Sequence, residues 1–298
     1  MRRHTAVVVV LVLALAACGA PRDEGGAAAP APPASSSSAA PPPACHPAVA
    51  KGTADRLDGS VECTAAHATE TIHSGQFTDV VATAVKSPAP GSPALRTAFA
   101  ECDREAAAAL GADWRTARLR LDVVLPTPAA WSAGQRWFRC DAVELTGVGP
   151  DATVVERDES LEGALAPGSP LLLGCALVKL DERNTIDTVA ESPCDKEHQG
   201  EFAGVWQAPE KTAYPKKDRD YVPFYQGCLK TIAAFVKVPF DATFAQRTGY
   251  IPVMADEPTW ALGDRGVRCF LWVRFRPLAA SAKGAGDKGF PPNLGRAS

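Results

Sequence analysis

Residues 131–140 read WSAGQRWFRC, and residues 260–269 read WALGDRGVRC. Both spell W-x-x-G-x-R-x-x-R-C, 129 residues apart. A second phrase repeats at a similar distance. Cys63-Thr-Ala-Ala-His67-Ala-Thr-Glu70 and Cys194-Asp-Lys-Glu-His198-Gln-Gly-Glu201 both read C-x-x-x-H-x-x-E, offset by 131. Self-similarity at one period is the mark of a duplicated structural unit.

The cysteines follow the same period. Cys45, Cys63, Cys102 and Cys140 are separated by 18, 39 and 38 residues. Cys175, Cys194, Cys228 and Cys269 are separated by 19, 34 and 41. An even set of cysteines in an exported chain predicts disulfides. Four cysteines allow three pairings, and the favoured one joins first to second and third to fourth: Cys45–Cys63, Cys102–Cys140, Cys175–Cys194 and Cys228–Cys269. The third cysteine of each half lies on the apolar face of a helix, and the fourth can face it from a strand beneath. No C-x-x-C pair occurs, which argues against a zinc site of that type.

Each half predicts strand, helix, strand, strand. Extended runs cover 69–81 and 201–206. In the first half Ser92 suits an N-cap and Pro93 the first turn. Leu95, Phe99, Cys102, Ala106 and Leu110 then recur at helical spacing, and Gly111 stops the helix. In the second half Phe224, Cys228, Ile232, Phe235 and Val236 form a similar face, ended by Pro239. Strands follow at 119–125 and 137–145, and at 248–254 and 267–275. The expected fold is α+β, with helices packed on mostly antiparallel sheet. The first repeat spans 45–148, a linker 149–170 and the second repeat 171–277. The Ala-, Gly-, Lys- and Pro-rich residues 278–298 are expected to be a disordered tail.

The N-terminus predicts export. Arg2, Arg3 and His4 precede an unbroken apolar run at 6–14 and then Leu15-Ala16-Ala17-Cys18. A positive start, a short apolar stretch and small residues form a secretory signal, here 1–17. The run is too short to span a bilayer as a mature helix. Its ending resembles the lipobox of bacterial lipoproteins. That resemblance implies a diacylglycerol anchor and an acyl chain such as palmitate on Cys18. Residues 18–44 are Ala-, Pro- and Ser-rich, without aromatic or branched aliphatic residues, and cannot bury enough apolar surface to fold. As a coil such a tether reaches roughly 30 Å. The chain is expected on the extracytoplasmic face of the cell membrane. Its net charge of −3, without basic blocks, excludes nucleic acid as the natural partner.

His67, Glu70, His198 and Glu201 are the candidates for chemistry, since His and carboxylate serve as metal ligands and as acid–base groups. If each pair lies on one strand, residues three apart face opposite sides, which argues against a shared site within one half. A composite site using one His from each half is the functional alternative. The structural reading pairs Glu70 with Arg136 or Arg139 and Glu201 with Arg265 or Arg268, because Arg matches a carboxylate fork. Trp131 and Trp260 are then packing anchors beside Gly134 and Gly263. Their functional alternative is an exposed aromatic rim for a sugar or peptide. No nucleophile elbow, Walker loop or dinucleotide fingerprint is present, so no catalytic residue, metal or cofactor is expected.

The two repeated motifs, their order and the cysteine pattern resemble the actinobacterial septum formation family over about 45–277. Ser160-Leu-Glu-Gly163, between the halves, also looks like an element of that family. The resemblance implies a part in building the division septum and names no reaction. Many family members look membrane-spanning, whereas this chain looks lipid-anchored. Its Ala-, Gly-, Pro- and Arg-rich composition fits an actinobacterial source. The expected function is a non-catalytic envelope module that binds another envelope protein or cell-wall material. A metal- or carboxylate-dependent envelope hydrolase using the duplicated His/Glu motif is the alternative.

Overall fold

The computed structural model describes residues 40–47, 59–149, 151–182 and 186–290. The expected signal, Cys18 and most of the tether lie outside them.

The first half opens with strand β1 (Ala44–His46) and strand β2 (Thr69–Gln76), followed by a single turn of helix, α1 (Asp79–Ala82). Helix α2 (Pro93–Leu110) comes next, then strand β3 (Leu119–Val124), the short helix α3 (Pro128–Ser132) and strand β4 (Trp137–Glu144). The second half contains β5 (Cys175–Leu180), β6 (Ile186–Ser192), β7 (Gly200–Gln207), α4 (Val222–Val236), β8 (Gly249–Val253), α5 (Glu257–Leu262), β9 (Gly266–Trp272) and α6 (Gly286–Gly289).

The first sheet has the order β1-β2-β4-β3 and the second β6-β5-β7-β9-β8. Every neighbouring pair is antiparallel. With β6 set aside, the two orders are the same. The registers agree as well: Cys45 faces Glu70 across β1 and β2, and Cys175 faces Glu201 across β5 and β7. The long pairings β2–β4 and β7–β9 each slip at one place, between Thr71 and His73 and between Phe202 and Gly204.

Local chemistry explains the helices. Ser92 Oγ accepts the Leu95 amide at 3.4 Å, Pro93 fills the first turn, and Gly111 closes α2 at φ 89°. Helix α4 ends differently. Lys237 takes the left-handed conformation at φ 57°, and the Val238 amide donates back to Ala233 O at 3.0 Å. The apolar face of α2 buries Leu95, Phe99, Cys102, Ala106 and Leu110. That of α4 buries Phe224, Cys228, Ile232 and Val236. Disulfides Cys102–Cys140 and Cys228–Cys269 rivet these helices to β4 and β9. Disulfides Cys45–Cys63 and Cys175–Cys194 hold the loops that precede β2 and β7.

Three sequence expectations change. The linker 149–170 is not separate from the first half, because its Leu161 and Leu165 are buried in the core with α2. The tail is not free from residue 278 onward. Leu278 pairs with His198, and Phe290 is fully buried, stacked against Phe244. Arg247 Nη1 donates to Phe290 O at 2.8 Å. The extended run at 69–81 ends at Gln76 and turns into α1.

The halves pack into one body. Arg115, in a 3-10 turn of the first half, donates through Nε to Asp264 Oδ1 of the second at 2.8 Å, with both side chains buried. Arg268 donates to the carbonyls of Arg115 and Leu119 at 2.8 and 2.7 Å. No helix among the described residues is long and apolar enough to cross a membrane.

Candidate functional site

The C-x-x-x-H-x-x-E phrases fold into two buried corners. In the first, the β1–β2 ladder sets Cys45 opposite Glu70. His67 sits just ahead of β2 and pairs with Arg157 instead, through amide–carbonyl bonds of 2.8 and 2.9 Å. His67 is therefore not in the β2 ladder, and strict alternation does not apply to it. The expectation that His67 and Glu70 diverge fails for that reason. One donor-type atom from each of Cys45, His67 and Glu70 lies within 4.8 Å of the others, and the same holds for Cys175, His198 and Glu201.

Each His ring is oriented by its own loop. His67 Nδ1 donates to Ala65 O at 2.8 Å, and His198 Nδ1 donates to Lys196 O at 2.7 Å. That leaves Nε2 as the lone-pair nitrogen. In both corners Nε2 is buried without a hydrogen-bond partner. His198 Nε2 lies 3.9 Å from Glu201 Oε2.

The carboxylates do not meet the repeated arginines. Glu70 accepts from Ser160 Oγ at 2.7 Å and from the Leu161 amide at 2.6 Å. Glu201 accepts from Ser281 Oγ and from the Ala282 amide, the latter at 2.7 Å. The predicted pairing with Arg136, Arg139, Arg265 or Arg268 is thus wrong. Backbone amide and hydroxyl donors satisfy each carboxylate through a local turn. Ser160-Leu-Glu-Gly163 has a counterpart in Ser281-Ala-Lys-Gly284, which the sequence reading assigned to the tail. Gly163 and Gly284 both take positive φ, 64° and 68°. Their amides donate to Ala109 O and Phe235 O, both at 2.8 Å. A shared S-x-x-G was the available signal for this third repeated phrase.

The W-x-x-G-x-R-x-x-R-C phrase is a helix, a turn and the start of a strand. Trp131 and Trp260 lie on α3 and α5 and are only 1% and 3% exposed, so neither forms an aromatic rim. Each indole N–H donates to a distant loop, on Ala84 O and Thr212 O, at 3.0 Å. Gly134 and Gly263 end these helices at φ 97° and 117°. Arg136 and Arg265 then turn back, with their guanidinium groups 4.3 and 4.5 Å from the Trp ring centres. Arg136 Nη1 donates to Trp131 O at 2.6 Å, and Arg265 Nη1 makes the same bond to Trp260 O. Cation–π stacking and a carbonyl thus hold each Arg where a carboxylate was expected.

The second arginines diverge. Arg139 donates to Asp141 Oδ2 at 3.0 Å inside its own sheet. Arg268 reaches the first half, and burial lowers it to about 10 despite the pull of Asp264. Burial also works against Arg115, yet Asp264 and Asp103 raise it above its ordinary value.

One buried polar group escaped the sequence reading. The Thr71 hydroxyl donates to Asp141 Oδ1 at 2.8 Å, so His46 Nε2 is the donor to Thr71 Oγ at 3.0 Å. Burial raises the Asp141 carboxyl despite Arg139, and burial followed by Arg139 lowers His46. The matching positions in the second half are Ala176, Phe202 and Phe270, the last two with ring centres 5.4 Å apart. The fold therefore accepts either filling, and the polar one is particular to the first half.

The model of the Septum formation family matches residues 21–269. No curated protein and no solved structure shows significant similarity to the chain. The match covers most of the chain and both repeated phrases, and the chain belongs to the septum formation family.

Proposed function

We propose that the protein is a non-catalytic binding module of the cell envelope. It acts in septum formation or in related cell-wall processes, and lipid on Cys18 holds it to the extracytoplasmic face of the membrane. The family supports a role in cell division or the envelope and is not one of known enzymes. The observation that carries the reading is the inward turn of the repeated groups. His67 and His198 are 0% exposed, and Glu70 and Glu201 accept hydrogen bonds from their own chain. A hydrolase built on these side chains would need them to touch substrate, whereas here they brace a scaffold whose surface does the binding. Leu15-Ala16-Ala17-Cys18 and the polar sequence after it support the anchor.

The test uses the full chain and a Cys18→Ser variant in the native cell, each fused to a proximity-labelling enzyme. The parent is expected in the membrane fraction, with an acylated mature N-terminus at Cys18 by mass spectrometry. Its labelled neighbours should be division or wall-building proteins, and Cys18→Ser should lose both the membrane association and those neighbours. An unmodified Cys18, or neighbours unrelated to division and the wall, overturns the reading.

A further inference from the structure

Each Cys–His–Glu corner contains one histidine nitrogen that bracing the fold does not use. Each His has its Nδ1–H committed to a backbone carbonyl, and its Nε2 is buried without a hydrogen-bond partner. Burying such an atom unpaired is unfavourable, and both corners do so. An Nδ1–H on a carbonyl is the outer contact that fixes a metal-ligating His. Each Glu is aimed by a hydroxyl and an amide, the outer contacts that orient ligating carboxylates. His198 Nε2 and Glu201 Oε2 lie 3.9 Å apart, so closing them to the N···O edge of a zinc tetrahedron, about 3.4 Å, takes a shift of about 0.5 Å.

Two sulfur atoms complete each set. Cys45 and Cys175 sit in the corners, bonded to Cys63 and Cys194. A disulfide sulfur is a poor ligand, and the thiolate is the strong one. Accessibility separates these two bonds from the others. Cys63 and Cys194 are half-exposed, and Cys194 lines a surface cleft with Glu201, Ser281 and Lys283. By contrast, Cys102, Cys140, Cys228 and Cys269 are all 0% exposed.

We propose that a dithiol reductant converts each corner into a closed, four-coordinate zinc site. The ligands are Cys45, Cys63, His67 and Glu70 in the first half, and Cys175, Cys194, His198 and Glu201 in the second. The dithiol gives up two electrons and closes to its own disulfide. The protein S–S bond breaks and two thiols form. Zinc then takes both as thiolates, and their two protons go to solvent. Two sulfurs, an imidazole and a carboxylate suit tetrahedral zinc. The sites are not C-x-x-C sites, because the ladder rather than local spacing brings the ligands together.

The experiment treats the full chain with mild dithiol and adds zinc chloride, or cobalt chloride as a spectroscopic probe. Four thiols beyond Cys18 are expected, with the near-ultraviolet circular dichroism of the folded protein retained. Two zinc ions should bind per reduced chain and none per oxidised chain. His67→Gln and His198→Gln should each lower the count to one, and the double variant to none. Cobalt should show thiolate charge-transfer bands with tetrahedral d–d bands. X-ray absorption on zinc-loaded parent needs no variant and should find two sulfur and two nitrogen or oxygen neighbours. The proposal is overturned if the reduced chain binds no zinc, if the His variants keep two ions, if the oxidised chain binds equally, or if the zinc shell is all sulfur. These outcomes are independent of the septal reading, which the labelling experiment tests.

Discussion

At the scale of single residues, the repeated glutamates act as caps for loops that arrive late in the chain. Glu201 holds Ser281 and Ala282, and through them the path to the buried Phe290. Glu201→Ala should therefore lower stability by about 1–3 kcal/mol. It should also strip hydrogen-exchange protection from the Ala282 amide and open 278–290 to proteolysis. A variant that melts like the parent with that amide still protected would refute the capping role. His46 gives a prediction in pH. Its folded value is lowered, first by burial and then by Arg139, so the unfolded chain binds the proton more readily. The stability it supports is intact above the ordinary histidine value of about 6.5. It is lost as pH falls through that value toward the lowered one. His46→Gln keeps a donor for Thr71 and should flatten this part of the profile. Urea midpoints at pH 7.5 and 5.5 for both proteins check it, and equal slopes would count against it.

At the scale of elements, the two long helices show how far local signals reach. Ser92, Pro93 and Gly111 write the ends of α2 into the sequence, and the structure uses all three. Helix α4 instead closes on Lys237, a side-chain-bearing residue in the left-handed region. Lys237→Gly should relieve about 1 kcal/mol of backbone strain and raise the melting temperature by about 2–4 °C. No change in calorimetry would mean that the Lys237 side chain offsets the strain. The short helices α3 and α5 were not legible. Their few residues give too little periodicity, and only end signals mark them: Thr127 and Asp256 at the N-caps, Pro128 and Pro258 in the first turns, and Gly134 and Gly263 beyond the last. The β5–β6 hairpin was missed because β6 is exposed along most of its length and shows no apolar alternation.

At the scale of the whole molecule, the halves are joined by a departure from the repeat. Where the first phrase has Trp137, the second has Gly266. A Cβ on Gly266 would lie 2.1 Å from Arg115 Cδ, so the missing side chain is what admits Arg115 to Asp264. Arg115→Ala would strand Asp264 in the interior and should cost about 3–5 kcal/mol. Gly266→Ala should displace the guanidinium and cost a similar amount. Urea unfolding followed by Trp fluorescence checks both. The parent should unfold in one transition, and a loss under about 1 kcal/mol in Arg115→Ala would show that the buried pair does not hold the halves together.

The even cysteines and the apolar face of each long helix were enough to determine a disulfide-stapled α+β chain, and the period of the repeated words pointed to the like strand order of its two sheets. Those signals are local, and each recurs in the same order. What the corners contain was decided only by tertiary structure. The His67–Glu70 and His198–Glu201 pairs converge because each His leaves the strand ladder for a partner about 80–90 residues away, Arg157 or Leu278. The carboxylates find serine and amide donors rather than arginine because the S-x-x-G turns reach them first, while the Trp rings hold Arg136 and Arg265. Sequence spacing describes which residues share an element, and competition among distant donors for one buried acceptor is settled only when the sheets close.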